Sequence, residues 1–412
     1  MTISIGTDTR AGVFGHGVEG RSAALWLGRI GCREIRVIEA TPEQSDPEAL
    51  SGLDVLFKSP GIKPSHPLLA AAASRGIPVT SATALFMERA RAAGLAVIGV
   101  TGSKGKSTTA TLIHKTLEAA SIPTVLAGNI GRSALDLVEE VVSNRPVVVL
   151  EMSSYQTHDL TLGPPVAVIT RLFPEHLDWH GSVEAYYDAK LRIASTQRED
   201  DVTIWNGTDA EIAKRVPLGP ARHVAYGLAP PRFSDAAMRL RGPHNRLNAA
   251  AALTAAEIYG ARPPHLESVL ASFTGLPHRL EDLGVHGGVR WINDSIATAP
   301  EAAVAALDAF PGEVATYIGG GTDRGFDFAR LAAALSAGSV RNVILLPPGG
   351  PAMRKAIAGA HLVADLAEAV ALAARVTPLG SVVLFSPASP SYGVFNNFEE
   401  RGNVFRELVQ AL

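Results

Sequence analysis

The sequence predicts an α/β protein of three domains, each built on a mostly parallel sheet. Short runs rich in valine and isoleucine alternate with alanine-rich stretches of helical periodicity, which is typical of parallel sheets covered by helices. Several of these runs end in glycine-rich or polar segments, and ligands bind at that edge of such sheets. Because 412 residues are too many for one ordinary core, we expect two or three domains from length alone. The alternation of strands and helices divides the chain into segments over residues 1–93, 94–276 and 277–412, which we take as the three domains.

Composition excludes several classes of protein. The net charge is −3 at pH 7, so no overall basic field attracts nucleic acid. The single cysteine, Cys32, excludes an internal disulfide and fits a reducing compartment. No apolar run approaches the roughly 20 residues that span a bilayer, and the first residues do not resemble a signal peptide. We therefore expect a cytoplasmic protein with no nucleic-acid partner and no membrane segment.

The first segment carries a weak nucleotide-binding signal. A strand predicted over residues 11–14 leads into Gly15-His16-Gly17-Val18-Glu19-Gly20, and a second strand over residues 34–38 ends in Glu39. A G-x-G-x-x-G turn followed about 20 residues later by an acid is typical of loops that bind a dinucleotide. A tight turn without a ligand explains the same pattern, so both interpretations stay open.

The second segment opens on the most informative stretch of the chain. A β-branched run over residues 97–100 leads into Gly102-Ser103-Lys104-Gly105-Lys106-Ser107-Thr108, and a helical pattern follows. This order is typical of a phosphate-binding loop, in which backbone N–H groups and a helix N-terminus surround phosphate oxygens. Lys106 would contact the β- and γ-phosphates, and Ser107 or Thr108 would bind Mg²⁺. The loop is shorter than the full pattern, and a strand-to-helix turn with a chance lysine is the alternative.

Polar residues follow later strands of the second segment. Glu151 ends a strand predicted over residues 146–151, and His176 follows one predicted over residues 166–170. A carboxylate at this edge suits a Mg²⁺ ligand. A capping role for Glu151 and a purely structural role for His176 are the alternatives.

The third segment repeats the alternation of strands and helices. Strands predicted over residues 289–292, 316–318 and 382–385 lead into three polar loops. The loops are Asn293-Asp294-Ser295, Gly319 to Gly325, and Ser386 to Tyr392. This segment therefore predicts another mostly parallel sheet with polar strand ends.

Eight short motifs occur in one order along the chain. They are Gly102-Ser-Lys-Gly-Lys-Ser-Thr108, Glu151-Met-Ser-Ser-Tyr-Gln156, Pro174-Glu-His-Leu-Asp178, Tyr187-Asp-Ala-Lys190, Gly242-Pro-His-Asn245, Leu276-Pro-His-Arg279, Asn293-Asp-Ser295 and Asn397-Phe-Glu-Glu-Arg-Gly402. In this order the chain resembles the Mur ligases over almost its whole length. The resemblance implies an N-terminal Rossmann-like domain for a UDP-linked substrate. It also implies a central P-loop ATPase-like domain for ATP and a C-terminal Rossmann-like domain for the incoming amino acid.

The motifs look like those of the branch that joins glutamate to UDP-N-acetylmuramoyl-L-alanine in peptidoglycan precursor synthesis. The resemblance implies that ATP phosphorylates the terminal carboxylate of that substrate, and that the glutamate amine then attacks the acyl phosphate. The amide, ADP and phosphate are the products. Such a transfer needs positioning and charge neutralisation more than covalent help from the protein. We expect ATP and two Mg²⁺ ions to be required, and the protein to act as a monomer.

The resemblance also assigns roles to individual residues. The catalytic positions are Lys106, Glu151, His176 and Lys190, and the metal ligands are Ser107, Glu151, His176 and Lys190. Lys190 matches a carbamylated lysine, because a bare ammonium cannot bind a cation whereas a carbamate offers oxygen ligands. The ATP positions are Gly102, Ser103, Lys104, Gly105, Lys106, Ser107, Thr108, Asn245, Asn248, Arg279 and Asp294. The positions for the UDP-linked substrate are Gly15, Gly17, Glu39, Ser59, Asn129 and His176.

Departures from the family pattern cluster on the expected glutamate pocket. That pocket comprises Thr298, Arg324, Ser391, Tyr392 and Phe398. Ile296 stands where the enzymes that add D-glutamate have a lysine, and Arg324 stands where lysine is common. A positive charge lost beside a dicarboxylate lowers its affinity unless the substrate binds differently. The pattern resembles that of the subfamily that adds L-glutamate, whose product a separate glutamyl epimerase inverts. Neutral drift in an enzyme that adds D-glutamate is the alternative.

Three further interpretations belong to other classes. A folylpolyglutamate-synthase-like ligase would share the ATP domain, but the N-terminal glycine loop and Lys58-Ser-Pro-Gly61 disfavour it. A non-catalytic nucleotide sensor is disfavoured because Lys106, Glu151, His176 and Lys190 are all present. A P-loop kinase or GTPase would not form an amide product.

Overall fold

The computed structural model describes residues 5–39, 46–234, 236, 238–240 and 242–412. It divides the chain into two compact units, residues 1–273 and 274–412. Two sheets belong to the first unit and one to the second. The boundary predicted at residue 277 lies near this division, whereas the one at residue 93 falls inside the first unit. The three domain ranges therefore stay a prediction.

The smaller sheet of the first unit has four parallel strands. They are β1 (Arg10–Phe14), β2 (Glu34–Ile38), β3 (Val55–Lys58) and β4 (Val79–Thr80). The helices of this region are α1 (Val18–Arg29), α2 (Pro67–Ser74) and α3 (Ala82–Ala92), with a 3₁₀ turn at Pro47–Leu50. In the strand order β2-β1-β3-β4, β1 lies between β2 and β3. The order reverses at β1, and such sheets bind ligands at the strand ends beside that reversal.

The larger sheet of the first unit is also parallel. Its strands are β5 (Val97–Thr101), β6 (Thr124–Gly128), β7 (Val147–Glu151), β8 (Val166–Ile169), β9 (Val202–Asn206) and β10 (Arg222–Tyr226). Its helices are α4 (Lys106–Ala119), α5 (Val138–Asn144), α6 (Ser154–Thr157), α7 (Leu177–His180), α8 (Val183–Ser195), α9 (Ala210–Ala213), α10 (Pro243–Glu257) and α11 (Pro263–Leu270), with a 3₁₀ turn at Ala134–Leu137. The order β10-β9-β8-β5-β7-β6 puts β5 in the interior of the sheet. All of its residues are buried, which explains its continuous apolar run.

The second unit contains one mixed sheet. Its strands are β11 (Glu281–His286), β12 (Val289–Asn293), β13 (Val314–Gly320), β14 (Asn342–Leu346), β15 (His361–Leu362) and β16 (Val382–Phe385). Its helices are α12 (Pro300–Asp308), α13 (Ala329–Ala337), α14 (Gly350–Ala356), α15 (Leu366–Val376) and α16 (Phe398–Gln410). In the order β11-β12-β16-β13-β14-β15, only the β11–β12 pair is antiparallel among these strands. The carboxyl ends of β12, β13 and β16 therefore meet at one edge.

The strands that the apolar runs predict are present, whereas β10, β11 and β15 went unpredicted. All three lie at sheet edges, where one side of the strand faces solvent and the sequence need not be apolar. β11 is also irregular, with a register shift between Asp282 and Gly284. Within the described ranges, no helix is both long and apolar enough to cross a membrane.

Candidate active site

The phosphate loop joins β5 to α4 at the carboxyl edge of the larger parallel sheet. Gly102 and Gly105 have φ angles of 147° and 91°, which residues with a side chain adopt only under strain. A Cβ on Gly105 would also lie 2.5 Å from the Asn248 side-chain oxygen on α10. Glycine is therefore required both for the bend of the loop and for the close packing of α10.

The segment that follows β8 holds the loop in shape. The Ser103 N–H donates to the Arg171 carbonyl over 2.6 Å, and the Ser103 hydroxyl donates to the Phe173 carbonyl over 2.8 Å. Thr170 donates its hydroxyl to the Lys104 carbonyl over 2.7 Å. Three hydrogen bonds to residues 170–173 thus fix the position of the loop.

Lys190 is the centre of the charged group beside this loop. It is only 2% exposed, and its Nζ donates to the Gly102 carbonyl over 2.8 Å. The Nζ also lies 4.9 Å from the centre of the Tyr186 ring, one helical turn earlier on α8. Burial lowers the pKa of Lys190 well below its ordinary value, and the positive charge of Lys106 lowers it further. This environment favours the neutral amine, which is the form that can react with CO₂.

Glu151 ends β7, and one of its two carboxylate oxygens has no hydrogen-bond donor among the described residues. The residue is 1% exposed, and Asn129 donates its side-chain amide to the other oxygen, Oε1, over 3.1 Å. In the described part of the chain, the buried Oε2 has no hydrogen-bond partner. An unpartnered buried carboxylate oxygen is costly unless a cation binds it. Asn129, predicted for the UDP-linked substrate, therefore lies directly against a predicted metal ligand.

His176 precedes α7 with a φ of 55°. Its ring centre lies 5.2 Å from that of Tyr155 and 6.3 Å from that of Tyr186. Partial burial lowers the pKa of His176, and the charges of Lys190 and Lys106 act in the same direction. The imidazole is therefore neutral at pH 7, which is the form that can bind a metal ion.

Lys106, Glu151, His176 and Lys190 thus belong to one neighbourhood. Lys106 begins α4 and donates to the Ser103 carbonyl over 3.1 Å, and its charge acts on both Lys190 and His176. Across the described ranges, no three His, Cys, Asp or Glu side chains are grouped to hold a metal. The predicted metal ligands are not such a cluster, because only Glu151 and His176 are of these residue types and the other two are Ser107 and a carbamylated Lys190.

The turn after β1 has the geometry of the predicted glycine loop. Gly15 has a φ of 84°, and Ser59 donates its hydroxyl to the Gly15 carbonyl over 2.6 Å. A Cβ on Gly17 would meet nothing within 4 Å, and Glu39 is exposed just beyond β2. These four predicted positions therefore lie around one turn at the carboxyl edge of the smaller sheet.

Glu19, inside that glycine motif, is a buried residue whose contacts the sequence did not predict. Its carboxylate accepts hydrogen bonds from Thr83 over 2.9 Å and from the Gln156 side chain. Desolvation raises the pKa of Glu19. Since Gln156 lies five residues after Glu151, Glu19 joins the glycine loop to the strand end that carries a predicted metal ligand.

Two further contacts join the two sheets of the first unit. Lys58 and Asp159 form a nearly buried ion pair at 2.8 Å. Trp179 donates its indole N–H to the Gly61 carbonyl over 2.9 Å, so α7 is tied to the loop that follows β3.

In the second unit, Asp294 faces inward. Its Oδ1 accepts from the Leu280 N–H over 3.1 Å, and its Oδ2 accepts from the Ser386 hydroxyl over 2.8 Å. Burial raises the pKa of Asp294 to about 7. Arg279, another predicted ATP position, is exposed. Both carboxylate oxygens of Asp294 therefore accept hydrogen bonds from within the second unit.

The five predicted glutamate-pocket residues lie on adjacent loops of this edge. Thr298 follows β12, Arg324 follows β13, Ser391 and Tyr392 follow β16, and Phe398 begins α16. The Arg324 guanidinium lies 5.9 Å from the centre of the Tyr392 ring. Tyr392 is 57% exposed whereas Ser391 is buried. Arg324 and Tyr392 therefore form an accessible pair of a cation and an aromatic ring.

The fold and this loop define the chain first as an α/β nucleotide-binding protein with a phosphate loop. Two family models then match it, the Mur ligase middle domain over residues 100–239 and the Mur ligase glutamate ligase domain over residues 278–389. A UDP-N-acetylmuramoyl-L-alanine–L-glutamate ligase of Salinispora tropica is 38% identical to it, covering 97% of each chain. The chain belongs to the Mur ligase family, as the eight motifs predicted.

Two other comparisons add detail. A UDP-N-acetylmuramoylalanine–D-glutamate ligase of Symbiobacterium thermophilum is also 38% identical, covering 89% of this chain and 86% of its own. The crystal structure of the MurF ligase of Thermotoga maritima in complex with ADP has a TM-score of 0.60 at 18% identity, covering 98% of this chain and 96% of its own. That likeness confirms the predicted α/β fold.

Proposed function

We propose that the protein is the ATP-dependent ligase that joins L-glutamate to UDP-N-acetylmuramoyl-L-alanine in peptidoglycan precursor synthesis. The observation that carries the proposal is the gathering of Lys106, Glu151 and Lys190 at one sheet edge of a Mur ligase family member. The reaction passes through an acyl phosphate and releases ADP and phosphate. The protein acts in the cytoplasm, where ATP and the nucleotide-linked substrate are present. It acts as a monomer.

The phosphate loop binds the triphosphate of ATP. The loop N–H groups that follow Ser103 and the N-terminus of α4 bind the phosphates, and the Lys106 ammonium offsets charge on the γ-phosphate as it is transferred. The substrate carboxylate attacks the γ-phosphorus, the bond from that phosphorus to the β-phosphate oxygen breaks, and ADP leaves with its electron pair, so the substrate becomes an acyl phosphate. The neutral amine of glutamate then attacks the acyl carbon, phosphate leaves with the electron pair of the broken C–O bond, and the nitrogen loses a proton to give the amide.

Four residues are suited to bind Mg²⁺ beside the phosphates. They are Ser107, Glu151, His176 and Lys190 as its carbamate. The fit is supported by the partnerless Oε2 of Glu151 within the described residues, and by the neutral state that burial favours for Lys190. When bound, Mg²⁺ neutralises the negative charge that develops on the phosphate oxygens.

The glutamate and the UDP-linked substrate bind through different residues. Arg324 binds a glutamate carboxylate, because a planar guanidinium can donate two parallel hydrogen bonds. The exposed Tyr392 covers the same substrate. The turn containing Gly15 and Gly17 contacts the pyrophosphate of the UDP group, and Glu39 contacts its ribose or base.

The choice of L-glutamate rests on Ile296 and on the relatives. The L-glutamate ligase of Salinispora tropica aligns with 97% of this chain, whereas the D-glutamate ligase of Symbiobacterium thermophilum aligns with 89% at the same identity. Ile296 contributes no charge beside the pocket. A separate glutamyl epimerase would then have to invert the product.

An enantiomer assay tests this function. Purified protein, ATP and UDP-N-acetylmuramoyl-L-alanine are mixed with L- or D-glutamate, and phosphate release and amide formation are both followed. We expect turnover with L-glutamate only. Turnover with D-glutamate alone would establish the alternative stereochemistry, and silence with both would revive the nucleotide-sensor interpretation.

A folate-linked ligase is not favoured. The muramoyl relatives cover the N-terminal segment of this chain as well as its ATP and glutamate regions. Titration with UDP-N-acetylmuramoyl-L-alanine and with a dihydrofolate would separate the two, and we expect only the former to bind.

A further inference from the structure

Arg401, on α16, is a fully buried arginine in the second unit. It is 1% exposed. Its Nε donates to the Ser295 hydroxyl over 3.1 Å, its Nη2 to the Ser295 carbonyl over 2.8 Å, and its Nη1 to the Ser389 carbonyl over 3.0 Å. No carboxylate of the described residues forms an ion pair with it. The guanidinium therefore donates to neutral acceptors on two separate loops.

A buried cation without an anion is an expensive way to stabilise a fold. Burial lowers the pKa of Arg401 to about 10, so the side chain is still protonated at pH 7. Replacing buried charged groups by apolar side chains of similar volume is often neutral or stabilising. The position of this arginine is therefore better explained by what its hydrogen bonds hold in place than by stability alone.

Arg401 is hydrogen-bonded to the loops after β12 and β16, and it lies close to the loop after β13; each of these loops carries a predicted glutamate-pocket residue. Ser295 lies on the loop after β12 and Ser389 on the loop after β16. A Cβ on Gly321, after β13, would lie 2.9 Å from the Arg401 Nη1. The Ser295 hydroxyl also donates to the carbonyl of Phe398, the first residue of α16, over 2.8 Å.

Each contact point is close in sequence to a pocket residue. Thr298 lies three residues after Ser295, Arg324 three after Gly321, Ser391 two after Ser389, and Phe398 three before Arg401. A shift of the guanidinium would therefore move the pocket residues relative to one another.

We propose that Arg401 is a positioning residue for the glutamate pocket, because its guanidinium fixes the spacing between the loops after β12, β13 and β16 and the start of α16. This inference rests on the proposed function of the second unit. Arginine is required for the role because its fork donates in several fixed directions at once. A lysine ammonium at the same depth cannot reach the acceptors on both loops with that geometry.

Kinetics of two Arg401 variants test the proposal. Arg401→Lys keeps the charge, and Arg401→Met keeps much of the volume. For both we expect the KM for glutamate to rise at least about tenfold, with the KM values for ATP and the UDP-linked substrate changed by less than about twofold. An unchanged glutamate KM, or an equal rise in all three KM values, would overturn the proposal.

Arg406→Met is the matched control. Arg406 lies on the same helix and pairs over 2.8 Å with Glu281, the first residue of β11, so its replacement removes an arginine contact of α16 that is not made directly to any of the three loops. We expect its glutamate KM to match that of the unmodified protein. A rise equal to that of Arg401→Met would show that any weakening of α16 is sufficient, and the proposal would fail.

Backbone hydrogen exchange gives a readout that does not need activity. In Arg401→Lys and Arg401→Met we expect faster exchange in residues 321–325 and 389–393 than in Arg406→Met, with β14 and α15 unchanged. Faster exchange spread evenly over the second unit would identify Arg401 as an ordinary stabilising residue and overturn the inference. If the unmodified protein used no glutamate at all, the proposed function would fail, while exchange would still decide whether Arg401 holds these loops.

Discussion

Buried charged groups differ between two sheet edges of the molecule. One is the carboxyl edge of the larger parallel sheet, and the other is the carboxyl edge of the sheet in the second unit. At the first, Lys190 lies close enough to Lys106 for their like charges to repel, and the buried Oε2 of Glu151 has no hydrogen-bond donor among the described residues. At the second, both oxygens of Asp294 accept hydrogen bonds, and Arg401 donates three. The first edge leaves a buried charged atom without a partner, whereas the buried charged groups of Asp294 and Arg401 at the second edge are all hydrogen-bonded.

This difference indicates a role in catalysis for the first edge and a role in positioning loops for the second. A charged side chain that is fixed in position and not neutralised by the protein stabilises a transition state in which the opposite charge develops beside it. A self-contained hydrogen-bond network instead holds loops at a set spacing. We therefore expect substitutions at the first edge to abolish the chemical step, and substitutions at the second to alter stability or glutamate affinity.

Replacing Lys106 by alanine should have the largest effect. The loss of its ammonium from the transferred phosphate should lower kcat by about 10³-fold or more, with the fold unchanged because neighbouring backbone holds the loop. Phosphate release and circular dichroism measure the two quantities. The control is Lys115→Ala on the exposed face of the same helix, which should retain full activity. Equal activity in both variants would remove Lys106 from the chemistry.

Replacing Lys190 by alanine should lower kcat by about 10²-fold or more, because it removes a proposed oxygen ligand. Added formate or acetate should restore part of the activity, whereas Lys190→Arg, which fills the space, should not respond. Carbon NMR in ¹³C-bicarbonate should show a carbamate signal that is absent from Lys190→Ala. A spectrum identical in the two proteins would contradict carbamylation at this residue.

Asp294 should make the stability of the second unit depend on pH. Its folded pKa of about 7 lies above the ordinary value of 3.8, so the folded state binds the proton more tightly than the unfolded state. The stabilisation is present at acid pH and is lost as pH rises toward 7, by roughly 2 kcal/mol between pH 5 and pH 7. Urea titrations of the full chain and of Asp294→Asn, which cannot ionise, should differ by this slope. Parallel slopes would refute the assignment.

Replacing Arg324 by lysine should have the smallest effect of the four. Loss of the two-pronged guanidinium contact should raise the glutamate KM by about tenfold, since hydrogen bonds to charged groups contribute about 1.5 kcal/mol or more. The KM for ATP should not change. Arg330→Lys, an exposed position on α13, is the control. An unaltered glutamate KM in Arg324→Lys would place the substrate carboxylate elsewhere.

The sequence predicted features that depend on neighbours along the chain. Strand, glycine loop and helix around Gly102 to Thr108 form a local pattern, and the buried strands are continuous apolar runs. The strands before Glu151 and His176 already placed these two residues at the same sheet edge, and the family resemblance then supplied Lys190 and the metal-binding roles. Tyr186 also left a usable signal, because it lies four residues before Lys190 and so on the same face of a helix.

Other features were not predictable because they join distant parts of the chain. Ser103 and Phe173 are 70 residues apart, Lys190 and Gly102 are 88 apart, and Arg401 and Ser295 are 106 apart. A serine, a glycine or a buried arginine has no local periodicity that reveals such a partner. The edge strand β10 was missed for a related reason, since exposure on one side removes the apolar run.

The contacts between Ser103 and the segment after β8 also bear on synthesis of the protein. β5 pairs with β7 and β8, and both are translated after the phosphate loop itself. A nascent chain that has not yet passed residue 173 lacks the carbonyl groups that hold Ser103. Nucleotide affinity should therefore arise late and abruptly on the ribosome, and truncated translation products should bind ATP poorly.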